Sequence, residues 1–574
     1  MDIKRKPKTL PIARLLTDIE KDKVCLPDFQ REFVWSEKQC AKLIESVVAH
    51  YPIGTLMFLN ADVNKKFGTR SFKGPDRKIK SPLYFAIDGQ QRISTFYKFL
   101  RKPKQFEPLE PVEFGGKKIK MFLKLGKHVG YDINKLGKII PLKMENEDTT
   151  NYKTQGKRRI MPLEFVRDET YSKEWVRQAL GHIRNRELIN GFKNQIKSVR
   201  KALSEYTCFV EIVESKLHPI DHYNIFQLLN SAGTDLTLFD EFVAKLNPLG
   251  INLRLMWKES QQSHPEMHTY DLDPVYILKM ISLIRGVKSQ ERGNETRQSC
   301  AKKDLLKLFK TFEDLPRGDV EFRNDWNESC RYLEKTVKSI RAEYGVYSKK
   351  YLPYYPMIVT QAATEWWFDR YKSYNQRYKP KMKYKLKKWY WGSIINGEYN
   401  SQTDNRISTH FFGLRKWLRP DAKKTPKEVS FNITRQQIRK AFDRIESSAD
   451  ARYKALICLP LIEMHARDIL SSDFLITDIL HDHHIFPKKY LEDDLGIHDK
   501  DLINNIANRM LITSATNLEI KKKSPSEYLK GVHASTLRKF YLTKSIVDDG
   551  VDYQAFLHDR GEKICSYMFK YLNE

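Results

Sequence analysis

The stretch HDHHIFP, residues 481 to 487, sets three histidines, His481, His483 and His484, within four positions of a chain that holds 15 in 574 residues. Imidazole titrates near neutrality, so at cellular pH it can take a proton from water or bind a cation. The ordinary alternative is three polar residues at the end of a strand. A second stretch, AIDGQQR, sets Asp88, Gly89, Gln90, Gln91 and Arg92 in a row. If a helix begins there, its unpaired N–H groups and positive dipole end attract anions. Gly89 lets backbone come close to a ligand, the glutamines can orient a ligand or water, and Arg92 can fork onto a phosphate. Asp88 could hold a divalent ion or position water. The ordinary alternative here is a capped turn, with aspartate as N-cap, glycine in the turn and arginine solvated.

These residues need elements to hold them. Cys40, Leu43, Ile44, Val47 and Val48 recur at helical spacing, YPIG breaks the pattern, and TLMFL then reads as a strand. LYFAIDGQQRISTFYKFL, from 83 to 100, runs strand, turn, helix. A Lys- and Gly-rich segment at 62–81 is expected to be a loop, and 101–160 to hold short strands and loops. CFVEIVES at 208–215 reads as another strand. A helix from 221 should stop near Gly233 and restart at Thr237, which with Asp240 fits a capping pattern. Residues 247–450 follow helical period, and from 451 an apolar helix leads to a strand that ends at the histidines.

Composition narrows the chemistry. Hydrophobic residues make up 41% and aromatics 12%, enough for packed cores, and the length implies about three domains. The seven cysteines are scattered without a C-x-x-C, which argues against a disulfide framework or a zinc ribbon. No apolar run approaches the ~18 residues of a membrane span, no secretory leader is visible, and the cytoplasm is the expected compartment. The balance of 101 basic to 72 acidic residues gives a formal charge of +29, which favours polyanions, nucleic acid first. RYKPKMKYKLKKWYW, 377–391, interleaves bases with Tyr and Trp. That suits phosphate contacts with stacking, and it equally suits a solvated helix or strand face.

LPDFQREFVWSEKQCAKLIESVVAHYPIGTLMFL, then IDGQQRISTF, then IFQLLNSAGTDLTLFDEF, resemble in that order the N-terminal domain of GmrSD-type modification-dependent restriction enzymes. The resemblance implies a ParB/sulfiredoxin-like fold that senses modified DNA and binds and hydrolyses a nucleoside triphosphate. It implicates Gln30, Arg31, Asp88 to Arg92, and Asn230 and Gly233. After the arginine this chain has Ile93-Ser94-Thr95-Phe96 where the family usually has L-T-T-L.

The histidine stretch together with DLINNIANRMLITSATNLEIKKKSPSEYL, 501–529, looks like an HNH nuclease domain of the ββα-metal type, as found at the C-terminus of GmrSD-type proteins. The resemblance makes His484 the general base and His483 a metal ligand. Asn517 would complete the ion site, Asn508 would hold the loop, and Mg2+ or Mn2+ is the expected ion. Asp482 is either a ligand or a partner that orients an imidazole. His481 is read as structural. Lys521, Lys522 and Lys523 either contact DNA phosphates or are solvated.

The chain is therefore expected to be a multidomain α+β protein. It would have a nucleotide-binding, modification-sensing domain at 1–246, a helical linker domain at 247–450 and an HNH endonuclease domain at 451–574. Its expected role is nucleotide-regulated cleavage of modified double-stranded phage DNA in anti-phage defence. Two other readings stand beside it: a nucleotide-gated DNA-binding switch without cleavage, and an RNA-directed HNH nuclease. DNA and nucleotide are the partners, no membrane is involved, and a homo-oligomer is open.

Overall fold

The structure is a computed structural model. It describes residues 5–27, 30, 32–62, 68–74, 79–101, 109–114, 116–126, 138–144, 151–214, 237–293, 299–370, 372–419, 421–431, 433–465, 467–471, 480–548 and 550–573. The chain divides into two compact units, 1–253 and 254–574. The architecture is α+β.

In the first unit the strands are β1 (Arg5–Pro11), β2 (Val24–Pro27), β3 (Leu56–Asn60), β4 (Thr69–Arg70), β5 (Tyr84–Asp88), β6 (Val112–Phe114), β7 (Lys117–Lys124), β8 (Lys138–Lys143), β9 (Ile160–Pro162) and β10 (Thr207–Val213). Among the described residues a six-stranded mixed sheet runs β1-β10-β3-β5-β2-β4, and a smaller antiparallel sheet carries β6, β8 and β9 on β7. The helices that pack into the core with these strands include α1 (Ile12–Glu20), α2 (Glu37–Val48) and α3 (Gln90–Leu100). α2 starts at a Ser36/Gln39 capping box and buries the five apolar residues whose spacing predicts it. α4 (Leu238–Leu246) starts at the Thr237/Asp240 capping box. The helix expected from 221 to 233 lies outside the described residues.

The junction between β5 and α3 positions the D-G-Q-Q-R residues. Asp88 pairs with Met57 and Ala86 with Phe58, so the β3–β5 register slips next to Asp88. Such a bulge re-aims the strand end. Gly89 then takes φ +87°, and a Cβ there would stand 2.3 Å from Cδ2 of Leu56. Only glycine suits that turn.

The second unit is mainly helical, with α5 (Gly318–Tyr344), α6 (Pro356–Arg370), α7 (Lys372–Ile395) and α8 (Thr403–Leu418) among its longer helices. The basic–aromatic stretch lies in α7. Trp389, Tyr390 and Trp391 are fully buried, and Tyr390 stacks on Tyr344 with ring centroids 3.8 Å apart. Lys385 is buried as well and donates to the carbonyl of Trp417. Interleaving therefore reflects a helix with one face in the core, and these three rings are not stacking platforms. The apolar run at 455–464 becomes two short helices, α9 (Ala451–Leu456) and α10 (Leu459–Glu463). Pro460 falls in the first turn of α10, where its missing N–H costs nothing.

The histidines lie on β11 (His481–His484), which pairs antiparallel with β12 (Arg509–Ile512), His483 opposite Met510 and His484 opposite Arg509. α11 (Ser514–Ile520) follows β12 and packs against β11. Asn517 lies inside this helix, one turn past its Thr513 cap. The chain closes with α12 (Tyr553–Asn573).

Candidate active site

Strand alternation sorts the histidine stretch into two faces. On one, Nδ1 of His483 stands 3.0 Å from Oδ1 of Asn517 on α11. The His483 ring is buried, it meets Tyr528 edge-on, and its Nε2 has no hydrogen-bond partner among the described residues. Burial pushes the His483 pKa down to about 4, so the ring is neutral at cellular pH. On the other face, Asp482 and His484 both meet Arg509. Nη1 of Arg509 donates to Oδ1 of Asp482 at 3.3 Å and reaches Nδ1 of His484 at 3.4 Å, while Nη2 donates to Oδ1 of Asn504 at 3.1 Å.

These contacts fix a tautomer. Arginine only donates, so Nδ1 of His484 carries the lone pair, and Nε2–H donates to Oδ1 of Asn504 at 3.1 Å. Burial first and the Arg509 charge second hold the His484 pKa below its ordinary value. That lone pair accepts from Arg509, so Nδ1 is open to a proton only when Arg509 withdraws.

Asp482 accepts from the Tyr453 hydroxyl at 2.7 Å and from Arg509, turned away from Asn517. Its geometry is that of a partner orienting an imidazole through Arg509. Asn508 is fully buried. Its Oδ1 accepts from the N–H of Phe486 at 2.8 Å, and its Nδ2 donates to the carbonyls of Phe486 and Ile503. It ties the strand exit to the loop before β12 and does not face the His483–Asn517 pair. Lys521, Lys522 and Lys523 are exposed just beyond α11, and the N–H of Lys521 caps the carbonyl of Asn517.

An amide oxygen only accepts, so Nδ1–H of His483 donates to Oδ1 of Asn517 at 3.0 Å; a divalent cation that displaced this proton would find one nitrogen and one oxygen ligand there. Among the described residues no group of three or more His, Cys, Asp or Glu gathers. The donor set thus fits a Mg2+- or Mn2+-like ion that keeps waters and takes substrate oxygens, and not a closed zinc site.

In the D-G-Q-Q-R stretch Gly89 makes the turn, as the capped-turn alternative has it, whereas Arg92 is bonded to protein atoms rather than solvated. Oε1 of Gln91 accepts from the N–H groups of Val34 and Trp35 at 2.9 and 3.2 Å, and its Nε2 donates to the carbonyl of Glu32. Arg92 donates to the carbonyls of Ile53 at 2.6 Å and Thr55 at 3.0 Å, and to Oδ2 of Asp88 at 3.0 Å. Oδ1 of Asp88 accepts from the N–H of Gly89. Gln30 is buried and donates to the carbonyls of Ala86 and Ile87. Gln90, also buried, is the first residue of α3. Arg31, Asn230 and Gly233 lie outside the described residues.

Asn504, Arg509 and Tyr453 were not singled out from the sequence. Asn504 and Arg509 flank the Asn508 that was, so proximity to it was an available signal. Tyr453, 29 positions from Asp482, left none.

Residues 12–247 match the family described as GmrSD restriction endonuclease, N-terminal domain, which supports that restriction endonuclease family. The chain is also similar to an uncharacterized protein of Methanocaldococcus jannaschii, with 26% identity over 539 residues, covering 88% of this chain and 84% of that protein. No helix among the described residues is long and apolar enough to cross a membrane.

Proposed function

We propose that this chain is a metal-dependent endonuclease of the HNH type that cuts modified phage DNA, and that its first unit acts as a nucleotide-responsive sensor. The observation that carries the reading is the pair of imidazoles on β11, His483 facing Asn517 and His484 held by Asn504 and Arg509. The family match over 12–247 supports restriction as the setting. In this reading 1–246 senses, 247–450 links and 451–574 cuts.

In this reading Arg509 moves from Nδ1 of His484 to the scissile phosphate, and the freed Nδ1 takes a proton from water as that water attacks phosphorus and the bond to the leaving oxygen breaks. Asn504 keeps the proton on Nε2. His483 and Asn517 would hold the divalent cation, which when bound stabilises charge on the leaving oxygen. Lys521 to Lys523 contact phosphates beside the site. The nucleotide, a triphosphate, engages the start of α3 around Gly89 and Gln90. Gln91 and Arg92 are already spent on protein atoms, and they pass its presence to the segments at 32–35 and 53–55 that they hold.

The test offers the purified chain phage DNAs that differ only in base or backbone modification. Each is tried with Mg2+, Mn2+ or EDTA, with and without each nucleotide, and beside a labelled RNA. Metal-dependent cleavage of modified DNA, altered by one nucleotide, is the expected result. Binding without any cleavage would favour a non-cutting switch, and preference for RNA would overturn the DNA reading.

A further inference from the structure

Asp468 lies outside every motif considered above, and its carboxylate is fully buried. Its Oδ1 accepts from the N–H of Leu470 at 2.8 Å, the N–H of Ser471 at 3.4 Å and the hydroxyl of Thr516 at 3.0 Å. Its Oδ2 accepts from the N–H of Thr513 at 2.8 Å. Burying a carboxylate is costly unless every oxygen is satisfied, so its position reflects what those donors need.

Two of them belong to the first turn of α11. Thr513 is the N-cap, its hydroxyl accepts from the N–H of Thr516 at 3.1 Å, and its carbonyl accepts from the N–H of Asn517 at 3.0 Å. Asp468 therefore grips the cap residue through its amide and the residue before Asn517 through its hydroxyl. From Asn517 the chain of contacts ends at Nδ1 of His483, 3.0 Å away. An ionised carboxylate only accepts, whereas an asparagine would turn an NH2 group toward one of these donors.

We propose that Asp468, acting through Thr513 and Thr516, is a positioning residue that sets Asn517 against His483 for a divalent cation. The inference rests on the reading of His483 and Asn517 as the cation site. Groups behind metal ligands typically change affinity 10–100-fold when removed, and that is the size expected here.

The experiment titrates the full-length chain with Mn2+ without DNA, reading free ion by electron paramagnetic resonance and checking thermal midpoints. His483→Ala establishes whether the ion binds at this site. Asp468→Asn and Thr516→Val should weaken binding roughly 10–100-fold, and Thr516→Ser should restore it. Thr360→Val removes another fully buried threonine, hydrogen-bonded to Tyr399, and should leave binding unchanged. If wild type binds no Mn2+, or His483→Ala binds as well as wild type, the site reading itself falls. If binding depends on His483 but Thr516→Val binds like wild type, or Thr360→Val weakens it equally, the role of Asp468 is overturned. Should Asp468→Asn not fold, Thr516→Val decides alone.

Discussion

Nδ1 of His483 and Oδ1 of Asn517 stand 3.0 Å apart, although 34 positions separate them in the chain. The β11–β12 pairing and the helix that follows bring them together, so the contact depends on the ββα turn as a whole. Asn517→Ala removes the oxygen donor while leaving the exposed flank of α11 in place. Its expected effect is a 10–100-fold rise in the Mn2+ concentration that half-saturates cleavage, with DNA affinity unchanged in EDTA. An unchanged metal midpoint would place the cation elsewhere.

Arg92 predicts a stability effect first. Arg92→Ala leaves the carbonyls of Ile53 and Thr55 and the Asp88 carboxylate without their donor. Hydrogen bonds from a charged donor contribute roughly 1.5–3 kcal/mol each in favourable cases; the Thr55 contact is exposed and Asp88 is partly solvated, so mainly the Ile53 bond counts and a loss of about 2 kcal/mol is expected. Arg92→Lys should recover only part, because one ammonium cannot reproduce the fork. Denaturant unfolding of both variants, with nucleotide turnover and DNA cleavage measured on the same preparations, checks this. Wild-type stability in Arg92→Ala would mean the clamp is not formed in solution.

Gly54 and Gly89 make that clamp possible. Both have positive φ, and a Cβ on Gly54 would lie 2.7 Å from Nη1 of Arg92. Gly54→Ala should lower the thermal midpoint of the first unit, by a free energy on the order of 1–3 kcal/mol. Melting followed by circular dichroism is sufficient, and a midpoint equal to wild type would contradict the geometry.

A buried histidine away from the site gives a pH prediction. His410 is fully buried on α8 and accepts from the Trp389 indole N–H, and burial pushes its pKa down to about 4. Glu398 lies 3.9 Å from its Nε2, but Arg406 pairs with that carboxylate at 2.9 Å. Between the unfolded value of ~6.5 and the folded value the unfolded chain binds the extra proton. Stability is therefore intact above ~6.5 and is lost as pH falls toward 4, by up to about 1.4 kcal/mol per pH unit. His410→Leu should flatten that slope in denaturant titrations. An equal slope in both proteins would assign the loss to other groups.

The charge of +29 predicts salt-sensitive DNA binding. Each neutralised phosphate contributes about −0.9 to the slope of log K against log salt. Replacing Lys521, Lys522 and Lys523 together by alanine should reduce that slope by up to about 3. If the slope does not change, these lysines are solvated surface.

Local signals carried much of this fold. Cys40 to Val48 read as a buried helical stripe because period and burial coincide, and Thr237/Asp240 marked a helix start through side-chain capping alone. His483, His484, Asn508 and Asn517 stand out by residue type, and the structure sets His483 against Asn517 and Asn508 against the strand exit. What could not be read was partnership at a distance. Arg92 ends on two carbonyls more than thirty positions back, and backbone acceptors leave no trace in residue type. Asp468 was invisible for the same reason, since two of its donors lie more than forty positions ahead. In α7 the alternation of Lys with Tyr and Trp was ambiguous, and tertiary packing resolved it toward the core.

The central claim is that His484 is the general base of a phosphodiesterase site. Its most direct test is the rate of nicking of modified phage DNA by wild type and His484→Ala, in Mn2+, at equal and saturating enzyme. Loss of a general base typically costs 10²–10⁴-fold, and the account predicts a loss in that range with melting temperature and DNA affinity preserved. Cleavage by His484→Ala within tenfold of wild type would contradict it.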